Sequence, residues 1–297
     1  MNKSLGLPPR VAAVHDLSCF GRCALTVIIP TLSCLGVQTV PLPTALLSTH
    51  TGGFENMHFR DLTEDMTKIA DHFDRLSMSF DAVYSGFLGS AAQITVVSDF
   101  IDRFGADIPV LVDPVMGDDG KLYSTYNSEL VNGMKALCRK AKIITPNHTE
   151  ACILTGLAYE DTENMSEKEL LGYGDRLLDA LADYRVPRMV LTGLANREGV
   201  YTFGMQDGER FVCKENRLHA GYPGTGDIFA SVLLGLLLSG KSFEESVGKA
   251  SRFTALTIQK TMQFPTPVRD GVVLESCMDE LMRMVRTPEN GLRRGAF

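Results

Sequence analysis

The sequence predicts an α/β protein with a doubly wound, mostly parallel central sheet, helices on both faces and a small antiparallel hairpin. Three observations support this fold class. Short apolar runs of strand length alternate with helical patterns along nearly the whole chain. Each strand-helix-strand step implies a parallel crossover. Polar or glycine-rich segments follow several strands, where open parallel sheets bind their ligands.

The first half of the chain contains four predicted strands, at residues 11–14, 37–42, 81–84 and 109–112. Helical patterns lie between them, at residues 23–35, 62–76 and 92–104. Residues 16–22 are predicted to turn, and the polar residues 43–59 are predicted to form a functional loop. Residues 118–126, after the fourth strand, are expected to form a mobile loop.

The second half continues the alternation. Strands are predicted at residues 142–145 and 188–191, and an antiparallel hairpin at 199–203 and 210–213. Capping-box patterns begin two helices, Asn147 with Glu150 and Ser166 with Glu169. Further helices are predicted at residues 228–238, 243–261 and 272–285.

Residues 235–242 match the P-loop pattern GxxxxGK[ST] in every required letter. The context contradicts a phosphate-binding loop, because the middle positions belong to an apolar helix and no strand precedes them. Backbone N–H groups inside a helix are already hydrogen bonded. We therefore interpret Gly240 as a helix terminator and Ser242 with Glu245 as the start of the next helix.

Charge, apolar runs and cysteine content argue against several classes of function. A single domain is predicted over residues 10–285, between an N-terminal tail at 1–9 and a polar C-terminal tail at 286–297 that is expected to fray. The formal net charge of −7 and the absence of a long basic cluster argue against nucleic acid as a partner. No apolar run reaches the ~20 residues that span a bilayer, and the seven cysteines include no CxxC pair. These features predict a cytoplasmic protein with no membrane partner.

The most informative segment is Gly221-Tyr222-Pro223-Gly224-Thr225-Gly226-Asp227, directly before an apolar helix. Glycines let the backbone turn tightly and approach a ligand closely. The helix N-terminus offers unpaired N–H groups and the positive end of its dipole to an anion. Asp227 is either a helix cap or a catalytic base, and the motif alone leaves both interpretations open.

Several motifs together resemble the vitamin-kinase branch of the ribokinase superfamily, and within it the pyridoxal kinases. They are Gly224-Thr225-Gly226-Asp227, Asp113-Pro114-Val115-Met116-Gly117, Thr145-Pro146-Asn147 with Glu150, Ser48-Thr49-His50-Thr51-Gly52 and Ser85-Gly86-Phe87-Leu88-Gly89. The resemblance covers about residues 10 to 285. It implies a ribokinase-like fold and phosphoryl transfer from ATP to the 5′-hydroxymethyl group of pyridoxal, pyridoxine or pyridoxamine.

The resemblance also assigns roles to residues. It implies Asp227 as the base and the N–H groups of Gly224, Thr225 and Gly226 as the anion hole. The implied substrate-binding residues are Asp16, Thr44, Ser48, His50, Phe87 and Asp227. The implied ATP-binding residues are Asp113, Asn147, Glu150, Thr192, Gly224 and Gly226, with Asp113 and Glu150 organising Mg²⁺. Residues 118–126 would form a lid. The family alone implies a homodimer. A requirement for K⁺ stays open.

Two departures from the pyridoxal kinase pattern keep a second substrate in view. Asp16 stands where pyridoxal kinases usually carry Ser, and Phe87 replaces a common Tyr. An Asp after the first strand resembles the hydroxymethylpyrimidine kinases of thiamine synthesis, although those kinases commonly carry Cys at the position of Asp227. The alternative function is therefore a hydroxymethylpyrimidine kinase. A sugar kinase of the same fold and a non-catalytic binding protein are also compatible with the fold, and intact Asp227 argues against the non-catalytic protein.

Overall fold

The computed structural model describes residues 6–286. Its strands are, in chain order, β1 Arg10–Phe20, β2 Gln38–Thr49, β3 Phe59–Asp61, β4 Ala82–Ser85, β5 Val110–Val112, β6 Gly117–Asp118, β7 Lys121–Leu122, β8 Ile143–Ile144, β9 Arg188–Ala195, β10 Val200–Gln206 and β11 Glu209–Glu215. Its α-helices are α1 Leu25–Cys34, α2 Thr63–Arg75, α3 Ala91–Phe104, α4 Ser128–Cys138, α5 His148–Thr155, α6 Glu167–Leu181, α7 Thr225–Leu238, α8 Phe243–Thr261 and α9 Met278–Arg286.

The central sheet has the order β11-β10-β9-β8-β5-β4-β1-β2-β3. The strands from β9 to β2 pair in parallel, and the antiparallel pairs are β9–β10, β10–β11 and β2–β3. The hairpin of β10 and β11 turns at Asp207 and Gly208, both at positive φ, as predicted. The short β6–β7 hairpin forms a separate sheet. The predicted fold class is therefore confirmed.

Alternate residues of β1 show why helices cover both faces. Ala12 and Val14 are buried in one apolar cluster, which contains residues of α2 to α6. Val11 and Ala13 are buried in a second cluster, which contains residues of α1, α7, α8 and α9. Successive side chains of a strand point to opposite faces, so β1 is apolar on both sides, as in a doubly wound sheet.

The predicted turn at 16–22 and loop at 43–59 are partly wrong, because β1 and β2 are long strands that pair through Phe20 and Thr49. Strand pairing satisfies the backbone N–H and C=O groups of these residues whatever the polarity of their side chains. The register shifts by one residue between His15–Pro43 and Leu17–Leu46. Such irregularities re-aim side chains and are common beside active sites.

Helix ends follow local signals. The capping boxes predicted at Asn147 and at Ser166 form. Ser242 is the N-cap of α8 as predicted, and its side chain accepts from the N–H of Glu245. Gly240 lies at φ 91° after the end of α7, which confirms the helix terminator and excludes a P-loop there. The predicted last helix at 272–285 is shorter: a 3₁₀ turn at Leu274–Ser276 precedes α9.

The C-terminal tail predicted for 286–297 lies outside the described residues, except for the backbone of Arg286 at the end of α9. The same holds for residues 1–5 of the N-terminal tail. Across the described helices, none combines the length and apolarity needed to cross a membrane.

Candidate active site

A cavity of about 1000 Å³ opens beyond the carboxyl ends of the parallel strands. The sequence-predicted residues that line it are Asp16, His50, Phe87, Asp113, Asn147, Glu150, Thr192, Gly224, Thr225, Gly226 and Asp227. These residues come from β1, β9, α5, α7 with its N-cap, and the segments after β2, β4, β5 and β8. The topology thus brings distant stretches of sequence to one edge of the sheet.

The anion loop has the geometry that its glycines predict. Gly224 is the N-cap of α7 at φ 81°, and a Cβ atom there would lie 2.1 Å from the carbonyl oxygen of Arg22. No L side chain fits such a position without moving the backbone. The first N–H groups of α7 have no partner within the helix, so those of Thr225, Gly226 and Asp227 are available to an anion.

Asp227 does not cap its own helix. Its Oδ2 accepts a hydrogen bond from the backbone N–H of Ala24 at 2.8 Å, and α7 has no side-chain cap. The pKa of Asp227 is raised to about 7, mainly by burial; the hydrogen bond from the Ala24 N–H lowers it, and the charge of Asp16 contributes a smaller part of the rise. A general base works best with a pKa near the working pH. The geometry therefore favours the base over the cap.

Asp113 and Glu150 form a buried acidic pair. The Asp113 carboxylate accepts from the Thr145 hydroxyl at 3.1 Å, and Glu150 accepts from the N–H groups of Asn147 and Met116. Burial, and then the charge of Asp227, raise the pKa of Asp113 to about 8. Burial followed by the charge of Asp113 also raises the pKa of Glu150. Two buried carboxyls under mutual repulsion form a site that a cation would stabilise.

The acidic pair is compatible with Mg²⁺ held partly by other ligands. Among residues 6–286, no group of three or more His, Cys, Asp or Glu side chains could hold a metal ion. Magnesium usually takes one or two carboxylates and completes its shell with water and substrate phosphates. Among the described residues that line the cavity, Arg217 is the one with a Lys or Arg side chain. It forms a 3.0 Å ion pair with Glu163. The cavity thus has little positive charge of its own.

Asn147 and Thr192 lie side by side on the edge of the cavity beyond β8 and β9, where they form an isolated parallel bridge. The Asn147 side chain accepts from the N–H of Glu150 and donates to the carbonyl of Gly117, at the start of the β6–β7 hairpin. One side chain therefore connects the helix that carries Glu150 to Gly117, the residue directly before the segment predicted as a lid.

Asp16 and Phe87 also line the cavity, from β1 and from the segment after β4. Asp16 is buried within β1, and its carboxylate accepts from the Ser18 hydroxyl at 2.9 Å. Burial raises its pKa, although the Ser18 hydrogen bond opposes this. Phe87 meets the ring of Tyr126 edge-on, with centroids 6.4 Å apart. The wall of the cavity thus contains both an apolar ring and a carboxyl group.

His50 lines the cavity, but both of its ring nitrogens are hydrogen bonded to protein. Nδ1 accepts from the N–H of Gly52 at 3.1 Å, so Nε2 carries the proton and donates to the carbonyl of Arg269 at 2.6 Å. Arg269 also donates to the carbonyl of Gly53 and lies over the Phe54 ring. In this structure His50 ties residues 50–54 to the C-terminal part of the chain.

Thr44 and Ser48 are not brought to the cavity lining. The Thr44 hydroxyl is buried without a hydrogen-bond partner among the described residues. Ser48 is exposed, and its hydroxyl accepts from the N–H of His58 at 2.8 Å. Leu47, on the same strand, lines the cavity instead. The S-x-H-T-G resemblance marks the right strand, but only some of its side chains face the cavity.

Sequence reasoning missed His15 and Ala24. His15 is 1 % exposed in the cavity wall, and Ala24 supplies the N–H that holds Asp227. No spacing rule marks a lone histidine inside a strand. The strand prediction stopped at Val14; an extension of its alternation by two residues would have placed His15 and Asp16 on opposite faces.

The pKa of Asp113 leads to a stability prediction. Between about pH 4 and pH 8, this carboxyl is ionised in the unfolded chain but protonated in the folded protein. Folding then takes up a proton, so stability falls as the pH rises. In protein without ligand or metal, we expect Asp113→Asn to raise Tm relative to wild type more at pH 8 than at pH 5. Each 1 kcal/mol gained in the free energy of unfolding should raise Tm by about 2–4 °C.

Thermal unfolding across this pH range measures the effect. The exposed Asp183 is outside the cavity, and Asp183→Asn is the control that should follow wild type at each pH. Parallel curves of Tm against pH for Asp113→Asn and wild type would contradict the raised pKa.

Known proteins resemble this chain in sequence and in structure. A model of the phosphomethylpyrimidine kinase family matches residues 13–269. The pyridoxine/pyridoxal/pyridoxamine kinase of Bordetella avium is 28% identical over 260 residues, which are 82% of this chain and 82% of that protein.

Two solved structures share the fold. A candidate phosphomethylpyrimidine kinase from Bacteroides thetaiotaomicron, crystallised with pyridoxal, is 36% identical with a TM-score of 0.85 and covers 96% of this chain and 98% of its own. Pyridoxal kinase from Lactobacillus plantarum is 28% identical, with a TM-score of 0.84. Its match covers 93% of this chain and 97% of the Lactobacillus plantarum chain. The predicted ribokinase-like fold is confirmed. Because the family model spans most of the sequence, this chain belongs to the phosphomethylpyrimidine kinase family.

Proposed function

We propose that this protein phosphorylates the 5′-hydroxymethyl group of pyridoxal, pyridoxine and pyridoxamine with ATP. The observation that carries the proposal is Asp227: a cavity carboxylate with a pKa near 7 in the first turn of a helix whose N–H groups are free for an anion. The resemblance to pyridoxal kinases and the pyridoxal-bound relative favour the vitamin B6 substrates.

In the proposed mechanism, Asp227 accepts the proton of the substrate hydroxyl as its oxygen attacks the γ-phosphorus of ATP. The N–H groups of Thr225, Gly226 and Asp227 stabilise the charge on the transferred phosphoryl group, while ADP leaves with the electrons of the broken bond. Phosphoryl transfer depends mainly on such positioning and electrostatic stabilisation.

Asp113 and Glu150 would hold Mg²⁺ near the nucleotide phosphates. When bound, the ion would neutralise charge on the phosphates. Among the described residues that line the cavity, Arg217 is the one Lys or Arg, so the protein itself supplies little positive charge there. Asn147 and Thr192 would position the nucleotide. Residues 118–126 would exclude water on closure, which limits hydrolysis of ATP.

Asp16 and Phe87 would set substrate preference. Phe87 offers a stacking face to the pyridine ring, and Asp16 offers a carboxylate to a protonated ring nitrogen or an amino group. We expect Asp16→Asn to lower kcat/KM for the B6 vitamers by about 10–100-fold, because a hydrogen bond to a charged group contributes about 1.5–3 kcal/mol. Steady-state kinetics on each vitamer measures this. An unchanged kcat/KM for all three would exclude Asp16 as a substrate ligand.

The second candidate is a hydroxymethylpyrimidine kinase, favoured by the family model and by Asp16 in β1. A side-by-side assay of pyridoxal, pyridoxine, pyridoxamine and hydroxymethylpyrimidine with ATP separates the two, because the ratio of kcat/KM values measures specificity. A higher kcat/KM for any B6 vitamer supports the proposal. A preference for the pyrimidine would reject it.

A further inference from the structure

His15 is a buried side chain beside the catalytic carboxylate that the mechanism does not yet use. Its ring packs edge-on against Tyr84, with centroids 4.2 Å apart. A Cβ atom on Gly86 would lie 2.3 Å from Cε1 of the imidazole. Tyr84 and the glycine therefore confine the ring to one position. A polar ring this buried and this constrained must have a specific hydrogen-bonding role or carry a cost.

The two ring nitrogens of His15 differ in their surroundings. Nδ1 lies 3.8 Å from Oδ1 of Asp227. Nε2 is buried and has no hydrogen-bond partner among the described residues. A neutral imidazole has one N–H donor and one lone pair, and buried N–H groups without an acceptor are rare. The proton therefore belongs on Nδ1, directed at Asp227.

We propose that His15 is a positioning residue for Asp227. Its Nδ1–H donates to Oδ1 when substrate closes the site, while the Ala24 N–H holds Oδ2 at 2.8 Å. Catalytic hydrogen bonds are often long in ligand-free structures and shorten in the reactive complex. Two donors on different oxygens fix the plane of the carboxylate, and each oxygen keeps a lone pair for the substrate hydroxyl. This inference rests on the proposed function, because it takes Asp227 as the base.

Two variants separate the donor from the ring. His15→Phe keeps an aromatic ring between Tyr84 and Gly86 but removes the Nδ1 donor, whereas an Asn side chain places an amide N–H near the position of Nδ1. We expect His15→Phe to lower kcat about 10–100-fold, with KM for the vitamin within about threefold, because the lost interaction acts on the base. His15→Asn should recover most of the loss. Equal loss in both variants, or none in His15→Phe, would overturn the proposal.

The pH profile gives a readout that packing alone would not change. A donor to the ionised carboxylate favours the charged form, so its removal should raise the apparent pKa in kcat/KM. Among residues 6–286, five other groups interact electrostatically with Asp227, and all of them remain in both variants: Asp16, Cys23, Tyr84, Asp113 and Tyr123. A higher apparent pKa in His15→Phe than in His15→Asn supports the proposal. Identical profiles in both variants would overturn it.

A measurement on the wild-type protein keeps the proposal testable if His15→Phe does not fold. Nitrogen NMR of histidine-labelled protein, assigned by comparison with His15→Asn, reports which ring nitrogen carries the proton. The Nδ1–H form supports the proposal, and the Nε2–H form overturns it. If wild type turns over none of the four candidate substrates, the proposed function fails, and the tautomer then decides only whether the Nδ1 of His15 can donate to Asp227.

Discussion

Asp227→Asn is expected to lower kcat for the vitamin substrate by about 10²–10⁴-fold, the usual contribution of a general base. The amide keeps the shape of the carboxylate and an oxygen that can accept from the Ala24 N–H, but it cannot take up the hydroxyl proton. Burial raises the pKa of Asp227 to about 7, so the wild-type group is substantially ionised at neutral pH.

The assay for Asp227→Asn follows phosphorylated vitamin under saturating ATP, and binding of ADP is measured on the same protein. Nucleotide affinity should stay within about threefold, because the change removes a step of chemistry rather than uniform binding. The exposed Asp183, outside the cavity lining, gives the control Asp183→Asn, which should match wild type. Retention of wild-type kcat by Asp227→Asn would mean that another group removes the proton.

Gly224→Ala is expected to lower kcat/KM by about 10²-fold or more and to destabilise the protein. Alanine at φ 81° is strained, and its Cβ atom would lie 2.1 Å from the Arg22 carbonyl. The backbone must then shift at the N-terminus of α7, and a displacement of about 1 Å can cost 10²-fold in rate. Arg22 lies two residues before Ala24, so the shift would also disturb the hydrogen bond to Asp227.

Gly240→Ala is the matched control, because Gly240 has a similar φ of 91° but a Cβ atom there would meet no other atom within 4 Å. It lies at the opposite end of α7 from the anion loop. We expect Gly240→Ala to cost about 1–2 kcal/mol of stability with kcat/KM unchanged. Steady-state kinetics and thermal unfolding on both variants separate strain from damage to the site. Equal kinetics for the two variants would contradict the special role of Gly224.

The parts of the site that could be predicted from the sequence are those that depend on local chemistry. The glycines of the anion loop and the capping box of Asn147 and Glu150 are local motifs, and the structure forms both. Asp113 was predictable because it follows a short apolar strand, and carboxyl ends of parallel strands meet at one edge.

The parts that could not be predicted depend on pairing between distant segments. The length of β2 is set by β1, which supplies hydrogen bonds to residues that look like a polar loop in isolation. The orientation of Thr44 and Ser48 follows from a register shift, and shifting a strand by one residue exchanges its faces. His50 shows the same limit, because its partner Arg269 lies 219 residues away in the sequence.

The most direct test of the proposed function is the product formed by purified wild-type protein from pyridoxal, ATP and Mg²⁺ between about pH 5.5 and 8.5. We predict pyridoxal 5′-phosphate and ADP in equal amounts, with kcat/KM rising through an apparent pKa near that of Asp227, about 7. ADP without phosphorylated vitamin, or phosphorylation of hydroxymethylpyrimidine but not of any B6 vitamer, would contradict the proposed function.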